Sequence, residues 1–267
     1  MVVLAANAIG TPRLLLASAD PTFPDGLANG SGLVGRRLMM HPFTRVVGLF
    51  DESLGSEQGH WGQSLYSMEF AETDTQRDFV RGAKWNLTPS GGPLNAVLFP
   101  WPGERLWGKA MHDHVQKWLG RAAIWGISCE DLPDPENRVV LDEELSDGDG
   151  NPASRIIYRV SENAHRMLAF NVAQATQSFR ESGAYETLSL PLMPEFGWHP
   201  LGTCRMGVDP EDSVVDAFGR SHGLRNLFIA DGSVVVTSSS VNPAATIAAL
   251  ALRTADRILA SRGELGG

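Results

Sequence analysis

The two ends of this chain carry one hydrophobic pattern and its middle carries another, so a single layer of structure cannot satisfy both. At the start, Val2-Val3-Leu4-Ala5-Ala6 is a short apolar run of the kind that forms a buried parallel strand. Asn7-Ala8-Ile9-Gly10-Thr11-Pro12 then turns the chain, with Thr11 placed to cap and Pro12 to open a short helix through Ser18. At the other end, Leu227 to Ala230 reads as a second buried strand. Ala244 to Ser261 reads as a helix with Ile247, Leu250, Ala251, Ile258 and Leu259 along one face. Asn242-Pro243 in front of it predicts an N-cap followed by proline at the first helical position.

From about Phe43 to about Pro191 the pattern shortens. Strand candidates fall at Arg45–Phe50, Asn95–Phe99, Ala123–Ser128, Arg138–Leu141 and Arg155–Val160, separated by turn signals such as Asp147-Gly148-Asp149-Gly150. Helices are expected near Glu104–Leu119 and Ser161–Ser182. In the second, Met167, Leu168, Val172, Ala175 and Phe179 share a face. The expected fold class is therefore α/β plus α+β. Residues 1–42 and 192–267 form a Rossmann-like domain, and 43–191 form an inserted, mostly antiparallel sheet domain.

With 267 residues the chain can bury a sizeable core. A formal net charge of -9 without a basic cluster excludes a nucleic-acid surface. No apolar run has the length of a membrane span, and no signal peptide precedes Val2, which leaves a cytoplasmic or periplasmic setting open. Opening directly on a core strand is expected either of an internal start at Met1 or of a portion of a longer protein, whose targeting signal would lie in the missing part. Two cysteines, Cys129 and Cys204, make neither a disulfide framework nor a four-ligand zinc site, and no metal is expected.

Gly30-Ser31-Gly32-Leu33-Val34-Gly35 is a literal G-x-G-x-x-G, but Pro24-Asp25-Gly26-Leu27-Ala28-Asn29 before it cannot be the strand that a dinucleotide site requires. This rules out a nicotinamide enzyme built on those glycines. Chemistry concentrates instead in His199-Pro200-Leu201-Gly202-Thr203-Cys204-Arg205-Met206-Gly207 and in the stretch from Asp231-Gly232 to Asn242-Pro243. Oxidising an alcohol by hydride transfer needs a base for the hydroxyl proton, and histidine titrates near working pH. A lone histidine is more often a turn residue bonded to backbone; the small residues after His199, which let a flat ring approach, shift the balance. Cys204 has no second catalytic group beside it and reads as packing. Asp231-Gly232 after an apolar strand is either a capped turn or the carboxyl end of an α/β sheet where cofactors bind. Trp61, Trp85, Trp101 and Trp107 could line a sugar site, but scattered aromatics are more often core.

These residues resemble the glucose–methanol–choline oxidoreductase family. Val2 to Ser18 is similar to the family's second signature, with Asn7 where glycine is usual, and Val34 to Pro42 is similar to the segment that follows. Asn137-Arg138-Val139 and the Asp-Gly turn resemble the bacterial branch acting on sugars and sugar acids, with a choline-type look overall. The resemblance implies FAD as cofactor, His199 as catalytic base, and Asn242 as the second active-site position. It sets the flavin against Asn7, Thr11, Asp231, Gly232, Asn242 and Pro243. It implies an alcohol, polyol or sugar-type substrate and an electron acceptor such as oxygen, a quinone or a cytochrome. The family's strand–G-x-G-x-x-G–helix opening is absent here, so a missing N-terminal half or a partner chain is expected to hold the nucleotide. The alternative is a non-catalytic module, or degenerate remnant, that binds a sugar-like ligand.

Overall fold

The computed structural model describes residues 1–58, 62, 65–98, 106–193, 197–261 and 263. In chain order the elements are β1 (Val2–Leu4), α1 (Asn7–Ala17), β2 (Met39–His41), β3 (Phe43–Leu49), β4 (Leu65–Ser67), β5 (Ala83–Pro89), α2 (Pro93–Leu98), α3 (Lys109–Trp118) and β6 (Ala122–Cys129). They continue with β7 (Arg138–Ser146), β8 (Pro152–Ile157), α4 (Glu162–Glu181), β9 (Glu186–Leu190), β10 (Trp198–Leu201), β11 (Leu227–Ile229), a 3₁₀ turn (Gly232–Val234) and α5 (Ala244–Ala260). The chain divides into two compact units: residues 1–41, 131–161 and 197–267 form the first, and 42–130 and 162–196 the second.

In the first unit β1 pairs with β11 in parallel, Val2 opposite Leu227 and Leu4 opposite Ile229. The apolar runs at the two ends of the sequence thus become neighbouring strands. Leu15, Val34, Val215, Leu227, Ile229 and Val234 pack the core beside them. Helix α1 begins at Asn7 rather than at Thr11, which corrects the expected start. Asn7 takes a left-handed backbone (φ 62°), and its Oδ1 accepts from the N–H groups of Ile9 and Gly10, so asparagine caps and Thr11 is free for other work. Pro12 therefore sits inside the helix.

Helix α5 also departs from expectation. It starts at Ala244 with Pro243, not Asn242, at the cap position, and no side chain caps it. The hairpin of β7 and β8 belongs to this first unit, which corrects the expected inserted domain of residues 43–191. Backbone bonds hold it there: Val139 N–H donates to the Gly35 carbonyl (2.8 Å) and Leu38 N–H to the Asn137 carbonyl (2.8 Å).

In the second unit β4, β5, β6, β3 and β9 form one antiparallel sheet in that order. Helix α4 packs on β3, β6 and β9. Its buried face is Met167, Leu168, Ala175 and Phe179, as the spacing predicts, with Val172 at its margin. Gly48 makes room for this helix, since a Cβ there would lie 2.7 Å from the Phe179 ring. Buried Trp85 donates from Nε1 to Asn171 Oδ1 (2.7 Å), so the indole N–H is satisfied inside the core. The stretch expected as a strand at Asn95–Phe99 is instead helix α2 through Leu98, opened by Pro93, and Phe99 lies outside the described residues. Helix α3 begins at Lys109, after Gly108 at φ 60°; Glu104 lies outside the described residues.

Candidate active site

Strand β10 does not run true against β2. Trp198 faces His41 and Leu201 faces Met39, so His199 and Pro200 together stand opposite the single Met40. Such a bulge turns a side chain out of its regular alternation. His199 occupies the left-handed region (φ 59°), which a bulky non-glycine residue adopts at a cost of order 1–3 kcal/mol and which clusters at functional sites. The result is that His199, half-buried, meets His41 at the end of β2. Their Nδ1 atoms lie 2.9 Å apart, and the rings meet edge to face with centroids 4.8 Å apart.

His41 is 1 % exposed. Burial, and then the neighbouring His199, push its pKa down to about 4 against a raising effect from the Ser239 backbone, so it is neutral at physiological pH. On its other ring nitrogen, His199 Nε2 lies 3.3 Å from the Asn242 amide nitrogen. Asn242 is exposed and immediately precedes the cap of α5. The two residues expected as a catalytic pair are thus brought together, although they lie 43 positions apart in sequence.

The backbone under this pair is tightly specified. Pro12 has no N–H, so the Ala8 carbonyl four residues earlier loses its helical donor. The Thr203 hydroxyl supplies the replacement at 2.8 Å. Thr203 is fully buried, as is Ala8. The proline of the first motif and the threonine of the second are two halves of one hydrogen-bond arrangement. Thr11, also fully buried, accepts from Ala6 N–H (3.1 Å) and donates to Asp231 Oδ2 (2.5 Å). Asp231 Oδ1 accepts from Ser233 N–H (2.8 Å), capping the 3₁₀ turn. Gly202, at φ 92°, runs so close to the segment leading into β2 that a Cβ would lie 2.5 Å from the Arg37 carbonyl oxygen. At Gly232 a Cβ would meet Leu201, the Pro200 carbonyl and Ile247 at 3.0–3.2 Å. Cys204 is fully buried and burial pushes its thiol well above the usual range, in keeping with packing rather than reactivity.

Two site residues had drawn no role from the sequence. His41 lies inside the family-like segment Val34 to Pro42, but nothing in that segment gave it a role. Asp131 is 1 % exposed and carries a pKa raised to about 6, chiefly by burial. It accepts from Met40 N–H (3.1 Å) and from the Tyr158 hydroxyl (2.8 Å), and so anchors β2 one residue before His41. Nothing in local sequence pattern distinguishes it from a turn aspartate.

Other features carry less. Gly30 to Gly35 forms turns rather than a strand–loop–helix, and Gly35 N–H donates to the Thr203 carbonyl (2.8 Å). Ser213 and His222 approach to 2.8 Å, but the Ser213 hydroxyl donates to the Asp209 carbonyl. His222 Nε2 must then donate to Ser213 and cannot act as its base. Trp85 is core and Trp107 is exposed, while Trp61 and Trp101 lie outside the described residues. Among the described residues no cluster of His, Cys, Asp and Glu could hold a metal, and no helix is long and apolar enough to cross a membrane.

Comparison with known proteins adds context to this geometry. Residues 133–251 match the family described as GMC oxidoreductase. The chain is 39% identical over 261 residues to 2-methyl-1,2-propanediol dehydrogenase of Mycolicibacterium austroafricanum, covering 97% of this chain and 47% of that protein. It is 32% identical to the fructose dehydrogenase large subunit of Gluconobacter japonicus, covering 96% and 46%. In fold it is similar to an Aspergillus oryzae formate oxidase studied for its FAD modification, with a TM-score of 0.63 at 16% identity, covering 99% of this chain and 55% of that one. The chain spans about half the length of the curated relatives it matches.

Proposed function

With residues 133–251 belonging to the GMC oxidoreductase family, we propose that this chain is the C-terminal part of an FAD-dependent oxidoreductase that oxidises a CH–OH group of an alcohol, polyol or sugar-type substrate. The observation that carries the reading is the re-aimed His199, held in a strained backbone between buried His41 and Asn242. The names of the two curated relatives, a diol dehydrogenase and a fructose dehydrogenase, support this substrate class over a non-catalytic binding module.

The residues present fit a flavin. Helix α5 runs 17 residues and begins with no side-chain cap, so its first backbone N–H groups and the positive end of its dipole are available to an electron-rich ring. Gly202 and Gly232 keep the backbone beneath it close-packed, against the Arg37 carbonyl and Met39 in one case and Leu201, Pro200 and Ile247 in the other. Asn242 and Pro243 at the start of α5 would hold the ring. Asp231 and Gly232, with Thr11 and Asn7 behind them, would shape the backbone along the rest of the cofactor. When bound, FAD supplies the hydride acceptor. His199 Nε2 takes the hydroxyl proton, and Asn242 donates a hydrogen bond to the substrate oxygen from its amide nitrogen. The first unit is read as the incomplete Rossmann-like, cofactor-binding part and the second as the substrate-binding part. The rest of a chain about twice this length would hold the nucleotide, and electrons would leave to oxygen, a quinone or a cytochrome.

In the complete enzyme, His199→Ala is expected to slow flavin reduction by substrate by about 10²–10⁴-fold, the range of general-base catalysis. Flavin bleaching in a stopped-flow instrument reads this directly, and an unchanged rate would remove His199 from the chemistry.

A further inference from the structure

Resting on the reading of His199 as base, we propose that His41 is a positioning residue that fixes the tautomer of His199, making Nε2 the accepting ring nitrogen, which takes a hydrogen bond from Asn242 at rest and the substrate proton in the reaction. The inference follows from counting protons. An amide nitrogen only donates, so Asn242 Nδ2 at 3.3 Å requires His199 Nε2 to accept. In the base form of His199 the ring proton then sits on Nδ1. A ring nitrogen 2.9 Å away, His41 Nδ1, must accept it, because two Nδ1–H groups cannot face each other at that distance. His41 in turn carries its own proton on Nε2.

The surroundings of His41 hold it in that form. The ring is 1 % exposed at the end of β2 and stays neutral near pH 7. Its Nε2 has no full hydrogen bond among the described residues, and the Ser239 backbone is the influence that favours a proton on the ring. From β10 the ionisable group acting on it is His199. The segment through Ser238 and Ser239 brings no charge. On the remaining side Asp131 is committed to the N–H groups of Met40 and Leu132 and to the Tyr158 hydroxyl. His41 therefore cannot become a second base. It accepts the Nδ1 proton before the reaction and continues to accept it when His199 becomes an imidazolium, which stabilises that cation. The bulge that makes His199 stand against His41 gives the arrangement its geometric cause.

The test labels the histidine rings of the complete enzyme with ¹⁵N and reads the tautomers from two-bond ¹H–¹⁵N correlations; the 267 residues contain seven histidines. In its base form His199 is expected to carry the ring proton on Nδ1, and at pH 7 His41 is expected as the Nε2–H form. His41→Leu removes the acceptor and should give His199 a mixture of tautomers, with kcat lower by about 10²-fold, the scale of a misplaced catalytic group, and KM nearly unchanged. His41→Asn keeps an acceptor oxygen near the position of Nδ1 and should restore one tautomer and most of kcat. Should the leucine variant fail to fold, the wild-type tautomers and the asparagine variant still decide. A wild-type His199 protonated on Nε2 overturns the proposal, as does an asparagine variant as impaired as the leucine one. If the tautomers come out as expected but His199→Ala still reduces flavin at the normal rate, the proposed function fails and the tautomer assignment stands.

Discussion

The hydrogen bond between Thr203 and the Ala8 carbonyl lends itself to a double-mutant cycle. Thr203→Val keeps the side-chain volume and removes the hydroxyl. Ala8 and Thr203 are both fully buried, and Pro12 offers no N–H, so the Ala8 carbonyl would lose the donor that serves it. Leaving a buried acceptor unsatisfied costs about 1–3 kcal/mol. Replacing Pro12 with alanine returns an N–H four residues after Ala8, which is the ordinary helical donor. The same Thr203→Val change should then cost about 1 kcal/mol or less, because the lost hydroxyl bond has a substitute. The coupling between the two sites is thus expected to be about 1–2 kcal/mol, within the range seen for residues sharing one hydrogen-bond arrangement. Urea unfolding of the wild type, both single variants and the double variant measures it, with helix α1 followed by hydrogen exchange as a local probe. Additive effects, with coupling below about 0.5 kcal/mol, would refute the claim that proline and threonine form one unit.

Gly202→Ala should destabilise the first unit by about 2–5 kcal/mol, the sum of left-handed backbone strain and overpacking, because a Cβ there lies 2.5 Å from the Arg37 carbonyl oxygen. Gly30→Ala, with open space around it and an ordinary backbone, should be neutral or slightly stabilising in the same melt. Asp131 sets a pH dependence. Its folded pKa of about 6 lies above the usual 3.8, so the folded state binds the proton more tightly; the stability this gives is present at pH 4 and below and is lost as pH rises to 6 and beyond. Asp131→Asn should flatten that part of the stability–pH curve, and an unchanged slope would assign it elsewhere.

Much of this fold could be read from residue pattern because its main elements bury a single face. Helix α4 is the clearest case: Met167, Leu168, Ala175 and Phe179 recur at helical spacing, and the expected 161–182 became Glu162–Glu181. The paired end strands were legible as short apolar runs, but the expected burial holds for Leu227–Ile229 and not for Val2 and Val3, which are exposed. The start of α1 was not, since a capping asparagine in a left-handed conformation outcompetes the Thr-Pro start signal, and only Thr203, far along the chain, makes Pro12 tolerable inside the helix. Segment 95–98 misled because a short apolar run has no period that separates strand from helix. At the site, His199 and Asn242 stood out by motif. His41 and Asp131 did not, because their roles come from burial and from partners 158 and 91 positions distant.

The pairing of β1 with β11 also has a consequence during synthesis. Val2 faces Leu227, a separation of 225 positions. At about 5–20 residues per second a ribosome needs roughly 10–45 s to make the intervening chain. Throughout that interval the edge of β1 that will meet β11 carries unsatisfied backbone groups and no partner. The second unit can close its sheet well before then, since β9 ends at Leu190. Maturation of the His199 site is thus tied to β11 and Asn242, made more than 220 positions after β1, and a holdase that shields the β1 edge would raise yield without altering the finished protein.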